Sequence, residues 1–258
     1  RIVNLIKDYR TLLGQGVVAR FDPETYSDAV AFARIGEGSL GGKARGLAFM
    51  NSMILKHRLY DKHANVRIMI PRSVVIATDY FDDFIRLNGL KYIISQEFSD
   101  EEILSEFVSS TVPARLQQEL KAYIQTVRTP LAVRSSSKLE DSHYQPFAGI
   151  YSTYMIPYVD NGDQMLRLLL KAVKSVYASV YFATSRAYLS SSQNLISEEK
   201  MAVIIQEVCG TEQDGLFFPT FSGVARSINY YPIGDEAPAD GVCNIAMGLG
   251  KLVVDGGR

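Results

Sequence analysis

The chain has 258 residues, of which 47% are hydrophobic and 21% are charged, and its formal net charge is -1. This composition is typical of a globular protein with one large domain or two closely packed subdomains. A net charge so close to zero provides no basic field for nucleic acid or for an acidic membrane surface. No apolar run reaches the ~18 residues of a membrane span and no signal peptide is visible, so we expect a cytoplasmic protein.

Hydrophobic spacing predicts the order of elements in the first half of the chain. Residues 1–20 repeat apolar positions at helical spacing. The elements that follow are a turn and a short helix or strand within 21–35, a helix that begins near Lys43 after the glycine-dense stretch 36–46, a β-branched strand at 74–78, and mainly helices across 79–127. Ser99, followed by three acidic residues, is typical of a helix N-cap.

The second half alternates strands with one long helix. A strand at 130–134 leads into polar residues, and apolar positions on one broad face predict a helix over 163–189. The continuous apolar run 201–205 is typical of a strand covered on both faces. The remaining predictions are a hairpin-like segment at 147–156, strands around 215–219 and 224–231, and a final glycine turn with a short strand. The layout is mixed α and β, without an internal repeat.

The cysteines and histidines form no recognisable metal or catalytic set. Cys209 and Cys243 make neither a CxxC unit nor a zinc spacing. A disulfide between them is compatible with the sequence, but a reducing cytoplasm favours two buried thiols. The histidines are assigned to the surface or to loops; they are His57, His63 and His143.

The first candidate for chemistry is the stretch GEGSLGGKARG at residues 36–46. Glycines let backbone N–H groups approach an anion, and Lys43 supplies a mobile positive charge. A Walker P-loop is disfavoured because Glu37 stands where its first glycine is needed, and Ala44 where a hydroxyl would bind magnesium. A dinucleotide fingerprint also fits poorly, because no buried strand clearly precedes Gly36. A phosphate site and a glycine loop that only caps a helix both remain open.

Two strand ends offer further candidates. Arg134 ends a buried strand, and its planar guanidinium pairs well with phosphate oxygens. The alternative is an ion pair with Glu140 or Asp141 that holds the following loop. The segment Gln206-Glu207-Val208 follows the second apolar run, where the backbone could hydrogen-bond a flat heterocycle such as adenine. The alternative there is an ordinary sheet edge.

Taken in order, seven segments closely resemble one family. They are GGKARGLAFM, IPRSVVIAT, LAVRSSSKLEDS, FAGIYST, VYASVYFATSRAYL, MAVIIQEV and MGLGKLVVDG. Together they span about residues 36–256, and they are similar to the PEP/pyruvate-binding, ATP-binding domain of phosphoenolpyruvate synthase and pyruvate phosphate dikinase. Glucan water dikinases and rifampicin phosphotransferases carry the same domain. The most specific element runs from VRSS through ED to FAG.

The resemblance implies an α+β fold of the ATP-grasp type, with two subdomains around a nucleotide cleft whose C-terminal part is missing from this chain. We expect a helical lead-in at 1–35, a first subdomain at 36–200 and a truncated second subdomain at 201–258. The ends at Arg1 and Arg258 look cut, so we expect a piece of a longer enzyme.

The resemblance also implies roles for individual residues. Lys43 and Arg134 match the positions that contact ATP phosphates, so they are the implied catalytic residues. The other implied cofactor-binding residues are Gly149, Ser152 and Thr153, which cover the phosphates, and Gln206, Glu207 and Val208, which hold adenine.

The chemistry implied is phosphoryl transfer from ATP to a histidine on a separate swivelling domain, and then to pyruvate on a barrel domain that also handles PEP. The family's Mg²⁺ ligands, an Asp-x-Glu pair, would follow residue 258, so no metal ligand is assigned within this chain. No phosphohistidine motif is present either, and we expect the isolated chain to be inactive. The final phosphoryl acceptor therefore stays unassigned.

Residues 217–226 depart from the family pattern, which has Phe-Thr-x-x-Pro after the hinge strand. Arg226 in this segment could replace a lost nucleotide contact, although a structural role is favoured. The departure motivates a second hypothesis, in which the chain is a non-catalytic nucleotide-sensing or scaffold domain that retains an ATP-grasp shell.

Overall fold

A computed structural model describes residues 18–24, 26, 30–94, 96, 98–137, 151–191 and 199–250. The chain divides into two compact units, a larger one at Arg1–Glu207 and a smaller one at Val208–Arg258. The helix predicted for residues 1–20 lies outside the described residues except at its end, where Ala19–Arg20 is a short strand. The domain boundary expected between residues 200 and 201 stays a prediction.

The larger unit is built on a mixed six-stranded sheet with the order β1-β2-β3-β6-β4-β5. Its strands are β1 (Ala19–Arg20), β2 (Phe32–Ile35), β3 (Ser73–Ile76), β4 (Leu131–Ser137), β5 (Thr153–Ile156) and β6 (Met201–Glu207). β1, β2 and β3 pair in parallel, whereas β6 is antiparallel to both β3 and β4, and β5 is antiparallel to β4. This sheet and its helices confirm the predicted mixture of α and β structure.

The helices of the larger unit are α1 (Gly41–Lys56), α2 (Thr78–Leu87), α3 (Asp100–Ser109), α4 (Ala114–Ile124), α5 (Gly162–Ser179) and α6 (Ala183–Ser191). The predicted N-cap at Ser99 is confirmed, because its hydroxyl accepts from the N–H of Glu102 and the Glu102 carboxylate accepts from the N–H of Ser99. Among the described helices, none has both the length and the apolar composition that crossing a bilayer requires.

The single helix predicted over 163–189 is wrong, because the chain forms α5 and α6 with a break between them. Every residue from Val176 to Tyr181 is buried, which one face of a straight helix on a sheet cannot achieve. The turn is closed by hydroxyls that bond to nearby carbonyls: Ser179 donates to Val176 and Ser185 donates to Ser179, at 2.7 Å each.

Helices cover the sheet on both faces, and the alternation of β6 shows which residues face each layer. Val203 and Ile205 belong to the large hydrophobic cluster that also contains residues of α2 through α5. Ala202 and Ile204 belong to a smaller cluster with Ala44 of α1. The apolar run of β6 is therefore buried on both sides, as its composition predicted. The face with the smaller cluster, which we call the α1 face, carries the site described below.

The smaller unit contains two antiparallel pairs of strands. They are β7 (Thr211–Gln213) with β8 (Leu216–Phe218), and β9 (Phe221–Arg226) with β10 (Val242–Met247). The strand predicted around 215–219 is confirmed as β8, while β9 ends five residues before the predicted limit of 231. The prediction of two buried thiols is wrong: Cys209 and Cys243 are both exposed. Most side chains of these two-stranded sheets are exposed to solvent, because no second layer within the described residues of the unit covers them.

Substitution of Gly41, the first residue of α1, tests how closely that helix must approach the sheet. It has φ +72°, and a Cβ there would lie 1.8 Å from the backbone O of Ser136. We expect Gly41→Ala to lower the free energy of unfolding by roughly 2–4 kcal/mol, because left-handed strain and backbone overlap add. Urea unfolding followed by circular dichroism measures the change.

The matched control is Gly46→Ala in the same helix, where a Cβ would meet nothing within 4 Å. This change should stabilise the chain by about 0.5–1 kcal/mol, because alanine is the better helix former. Equal stability of the two variants would contradict the close approach of α1 to β4.

Candidate functional site

The first part of the glycine-dense stretch docks onto the start of α2. The carboxylate of Asp79 accepts hydrogen bonds from the backbone N–H groups of Glu37 (2.9 Å) and Gly38 (3.0 Å). A Cβ on Gly38 would lie 2.6 Å from the backbone N of Asp79, so glycine is needed for this contact. The N–H of Ser39 donates to the Thr78 hydroxyl at 3.0 Å. Two of the backbone donors that a phosphate would need are thus taken by an internal carboxylate.

The second part of the stretch places Lys43 beside β4. The Ser136 hydroxyl donates to the carbonyl of Leu40 at 2.7 Å and accepts from the N–H of Ala44 at 3.0 Å, which fixes the first turn of α1 to the strand. The half-buried Lys43 reaches the preceding residue of that strand, with 3.3 Å between its Nζ and the Oγ of Ser135. Lys43 therefore reaches β4 at the residue that follows Arg134 in the sequence.

Arg134 lies on the α1 face of the sheet. It is directly opposite Ile204 in the β4–β6 ladder, and Ile204 belongs to the cluster that packs on α1. The Arg134 Nη1 donates to the side-chain Oε1 of Gln206 at 3.3 Å. Within the described part of the chain, no carboxylate forms an ion pair with Arg134. The alternative partners considered above, Glu140 and Asp141, lie outside the described residues.

Thr153, one of the residues expected to cover the phosphates, is a neighbour of Arg134 in the sheet. It begins β5 and is directly opposite Arg134 in the β4–β5 ladder, where paired Cα atoms lie about 4.5–5.5 Å apart. Ser152 precedes it and is half-buried, while Thr153 is exposed. Gly149 lies outside the described residues.

The three residues expected to hold adenine have different surroundings. Gln206 is buried and contacts Arg134. The Glu207 carboxylate lies 3.2 Å from the guanidinium of Arg72, and the backbone N–H of Glu207 donates to the carbonyl of Arg72 at 2.8 Å. The pKa of the neighbouring Tyr123 is raised, mainly by its burial and to a smaller extent by the nearby Tyr26 and Glu207. The ion pair between Glu207 and Arg72 therefore lies in a poorly hydrated region. Val208 is the first residue of the smaller unit.

Residue patterns missed several groups that shape the site. Ser135 and Ser136 belong to the polar strand end that the sequence indicated, but the pattern did not predict the hydrogen-bond partner of either serine. Asp79 and Ser73 carried no signal, because their partners are 41–42 and 133 residues away along the chain. Among the described residues, no group of three His, Cys, Asp or Glu side chains is placed to hold a metal ion.

Two cations are thus associated with β4: Arg134 belongs to the strand and bonds to an amide, and Lys43 of α1 bonds to Ser135 of the same strand. Cations of this kind suit a polyanionic ligand such as a nucleotide phosphate. A family model described as pyruvate phosphate dikinase, AMP/ATP-binding domain, matches residues 37–258. The chain therefore belongs to this family, as its motifs indicated.

Curated relatives agree with this assignment. The chain is 28% identical over 193 residues to the uncharacterized phosphotransferase YvkC of Bacillus subtilis, covering 74% of this chain and 20% of that protein. It is 24% identical over 238 residues to the phosphoenolpyruvate synthase of Aeropyrum pernix, covering 84% and 25%. It is 26% identical over 214 residues to the probable phosphoenolpyruvate synthase of Staphylothermus marinus, covering 73% and 23%. The matched part thus spans between a fifth and a quarter of these relatives.

Asp79 provides a test of how the glycine stretch is held. We expect Asp79→Asn to lower the free energy of unfolding by about 1–3 kcal/mol, because an amide oxygen is a weaker acceptor than a carboxylate for two backbone N–H groups. Chemical denaturation measures the loss. Asp83→Asn on the same helix removes an ion pair with Arg86 whose side chain is 79% exposed, so it should change stability by less than about 1 kcal/mol. A loss no larger for Asp79→Asn than for Asp83→Asn would rule out this role of Asp79.

Proposed function

We propose that this chain is the ATP-binding domain of a phosphotransferase of the phosphoenolpyruvate synthase and pyruvate phosphate dikinase type. In this proposal Lys43 and Arg134 hold the phosphates of ATP for transfer to a histidine on another domain. The observation that carries it is the Arg134 guanidinium, which bonds to the neutral amide of Gln206, so its charge is not cancelled within the described residues. Lys43 bonds to Ser135, the next residue of the same strand. Membership of an AMP/ATP-binding family supports ATP as the ligand.

The proposed chemistry needs charge compensation rather than a covalent enzyme group. During phosphoryl transfer a P–O bond of ATP breaks while a P–N bond to histidine forms, and negative charge grows on the leaving nucleotide oxygen. Lys43 is a compact, mobile positive charge that can follow these oxygens, whereas the planar fork of Arg134 fixes their orientation. Loss of either contact is expected to raise the barrier by on the order of 2–4 kcal/mol.

The remaining site residues have supporting roles in this proposal. The segment containing Gly149, Ser152 and Thr153 covers the phosphates, and the position of Thr153 opposite Arg134 suits that role. Adenine is held by the segment Gln206-Glu207-Val208. Because the N–H of Glu207 already donates to Arg72, the backbone donors for adenine would come from later in this segment.

The architecture proposed is ATP-grasp-like, with the subdomain limits 1–35, 36–200 and 201–258 and a cleft completed by further parts of the parent protein. Mg²⁺ is proposed as the companion of ATP, as the family resemblance implies. The phosphohistidine and pyruvate/PEP domains of a longer cytoplasmic protein are the proposed partners. The alternative, a non-catalytic sensing or scaffold domain, is not favoured, because the relatives are named as a phosphotransferase and phosphoenolpyruvate synthases.

Calorimetric titration of ATP into the chain tests the proposed site. We expect Lys43→Ala and Arg134→Ala each to weaken ATP binding by roughly 1–3 kcal/mol, because each removes a charge-assisted contact to phosphate. Arg134→Lys should recover only part of the loss, since an ammonium group keeps the charge but not the planar fork.

The matched controls are Lys56→Ala, at the other end of α1, and Arg167→Ala, at an exposed position of α5, which packs on the opposite face of the sheet. Both cations lie away from the proposed phosphate contacts, so each substitution should change ATP affinity by less than about twofold. A wild-type chain that is folded but binds no ATP at millimolar concentration would exclude this site, as would equal effects of all four alanine variants.

A further inference from the structure

Gln206 is the buried side chain that links Arg134 to the rest of the sheet. It is 8% exposed and lies on the α1 face, two residues beyond Ile204. Its Oε1 accepts from the Nη1 of Arg134 at 3.3 Å, and its Nε2 donates to the Oγ of Ser73 at 3.1 Å. Ser73 is fully buried and directly opposite Gln206 in the β3–β6 ladder. The chain of hydrogen bonds therefore crosses three neighbouring strands.

The direction of this chain follows from its last member. The Ser73 hydroxyl has one hydrogen, and it donates to the carbonyl of Pro71 at 2.9 Å. Its oxygen can then only accept from Gln206, which turns the amide N–H group towards Ser73 and the amide oxygen towards Arg134. Arg134 thus donates to Gln206, Gln206 donates to Ser73, and Ser73 donates to the carbonyl of Pro71. This order fixes the amide oxygen of Gln206, and not its nitrogen, as the group that faces Arg134.

Because the Gln206 side chain is a neutral amide, it leaves the positive charge of Arg134 uncompensated. A carboxylate at this position would hold the guanidinium more tightly but would cancel its charge, whereas an amide orients it and leaves the charge available for an anion. We therefore propose that the Gln206 side chain is a positioning residue for phosphate recognition, which holds Arg134 in place with the help of Ser73 and does not contact adenine. This inference rests on the proposed function and refines the role of its site.

Three probes separate the possible roles of Gln206: ATP, adenosine and inorganic tripolyphosphate. For Gln206→Met, which keeps the size of the side chain but removes both hydrogen bonds, we expect affinity for ATP and tripolyphosphate to fall by about fivefold, the value of one hydrogen bond. Adenosine affinity should change by less than about twofold. Gln206→Glu should weaken both phosphate ligands at least as much, because the new carboxylate pairs with Arg134.

A double-mutant cycle tests whether Gln206 acts through Arg134. In a chain that already carries Arg134→Ala, the further change Gln206→Met should weaken tripolyphosphate binding by less than about twofold, because there is no guanidinium left to position. Gln164→Met, at an exposed position of α5, is the matched control and should leave all three affinities unchanged. Denaturation curves confirm that each variant is folded, and Ser73→Ala supplies a second way to loosen Gln206 if Gln206→Met does not fold.

The outcomes distinguish this inference from the proposed function. If Gln206→Met weakens adenosine binding and spares tripolyphosphate, the side chain contacts adenine and the positioning role is wrong. If Arg134→Ala weakens tripolyphosphate binding but no Gln206 or Ser73 variant does, the proposed function stands and the inference fails. If Arg134→Ala has no effect on any phosphate ligand, the proposed function itself fails.

Discussion

The close approach of α1 to β4 is the constraint on which the candidate site depends. The buried residues of α1 are Gly41, Gly42 and Ala44, so its first turn makes the closest approach to the sheet. Leu47, Ala48 and Ile54 pack against the same cluster further along the helix. The missing Cβ of Gly41 and the two hydrogen bonds of Ser136 bring that turn against the strand. Lys43 lies within the same turn, and its hydrogen bond to Ser135 of β4 is a direct consequence. A bulkier residue at Gly41 would therefore disturb both stability and the site.

The glycine-dense stretch has two different purposes, although its sequence looks uniform. Gly38 makes room for the start of α2, where Asp79 occupies the backbone donors, and Gly41 makes room for β4. Neither contact requires a ligand. Under the proposed function, the Lys43 side chain supplies the positive charge for phosphate, because the N–H groups of residues 37–39 are bonded to Asp79 and Thr78. A P-loop would instead cradle the phosphate with its backbone N–H groups, and its spacing also differs.

Local patterns in the sequence predicted much of the larger unit. The buried strand β6, the start of α1 and the cap at Ser99 each depend on residues close together in the chain, so spacing and residue type were sufficient. The break between α5 and α6 was missed because uninterrupted apolar spacing cannot show that every position from Val176 to Tyr181 is buried. Within the site, Lys43 and Arg134 stood out as cations next to glycines and a strand end. Their partners did not, because pairing between β3, β4 and β6 joins residues distant in sequence.

The last two residues of β6, Gln206 and Glu207, contact different arginines with different chemical groups. Successive side chains of a strand point to opposite faces, so Gln206 and Glu207 serve different sides of the sheet. Glu207 pairs with Arg72, whose side chain is only 12% exposed, and there a carboxylate is needed because an unpaired buried charge is costly. Gln206 meets the half-buried Arg134, where a neutral amide suffices to orient the guanidinium. Under the proposed function, the amide on the α1 face leaves the charge of Arg134 available for a ligand, whereas the carboxylate of Glu207 neutralises Arg72 within the protein.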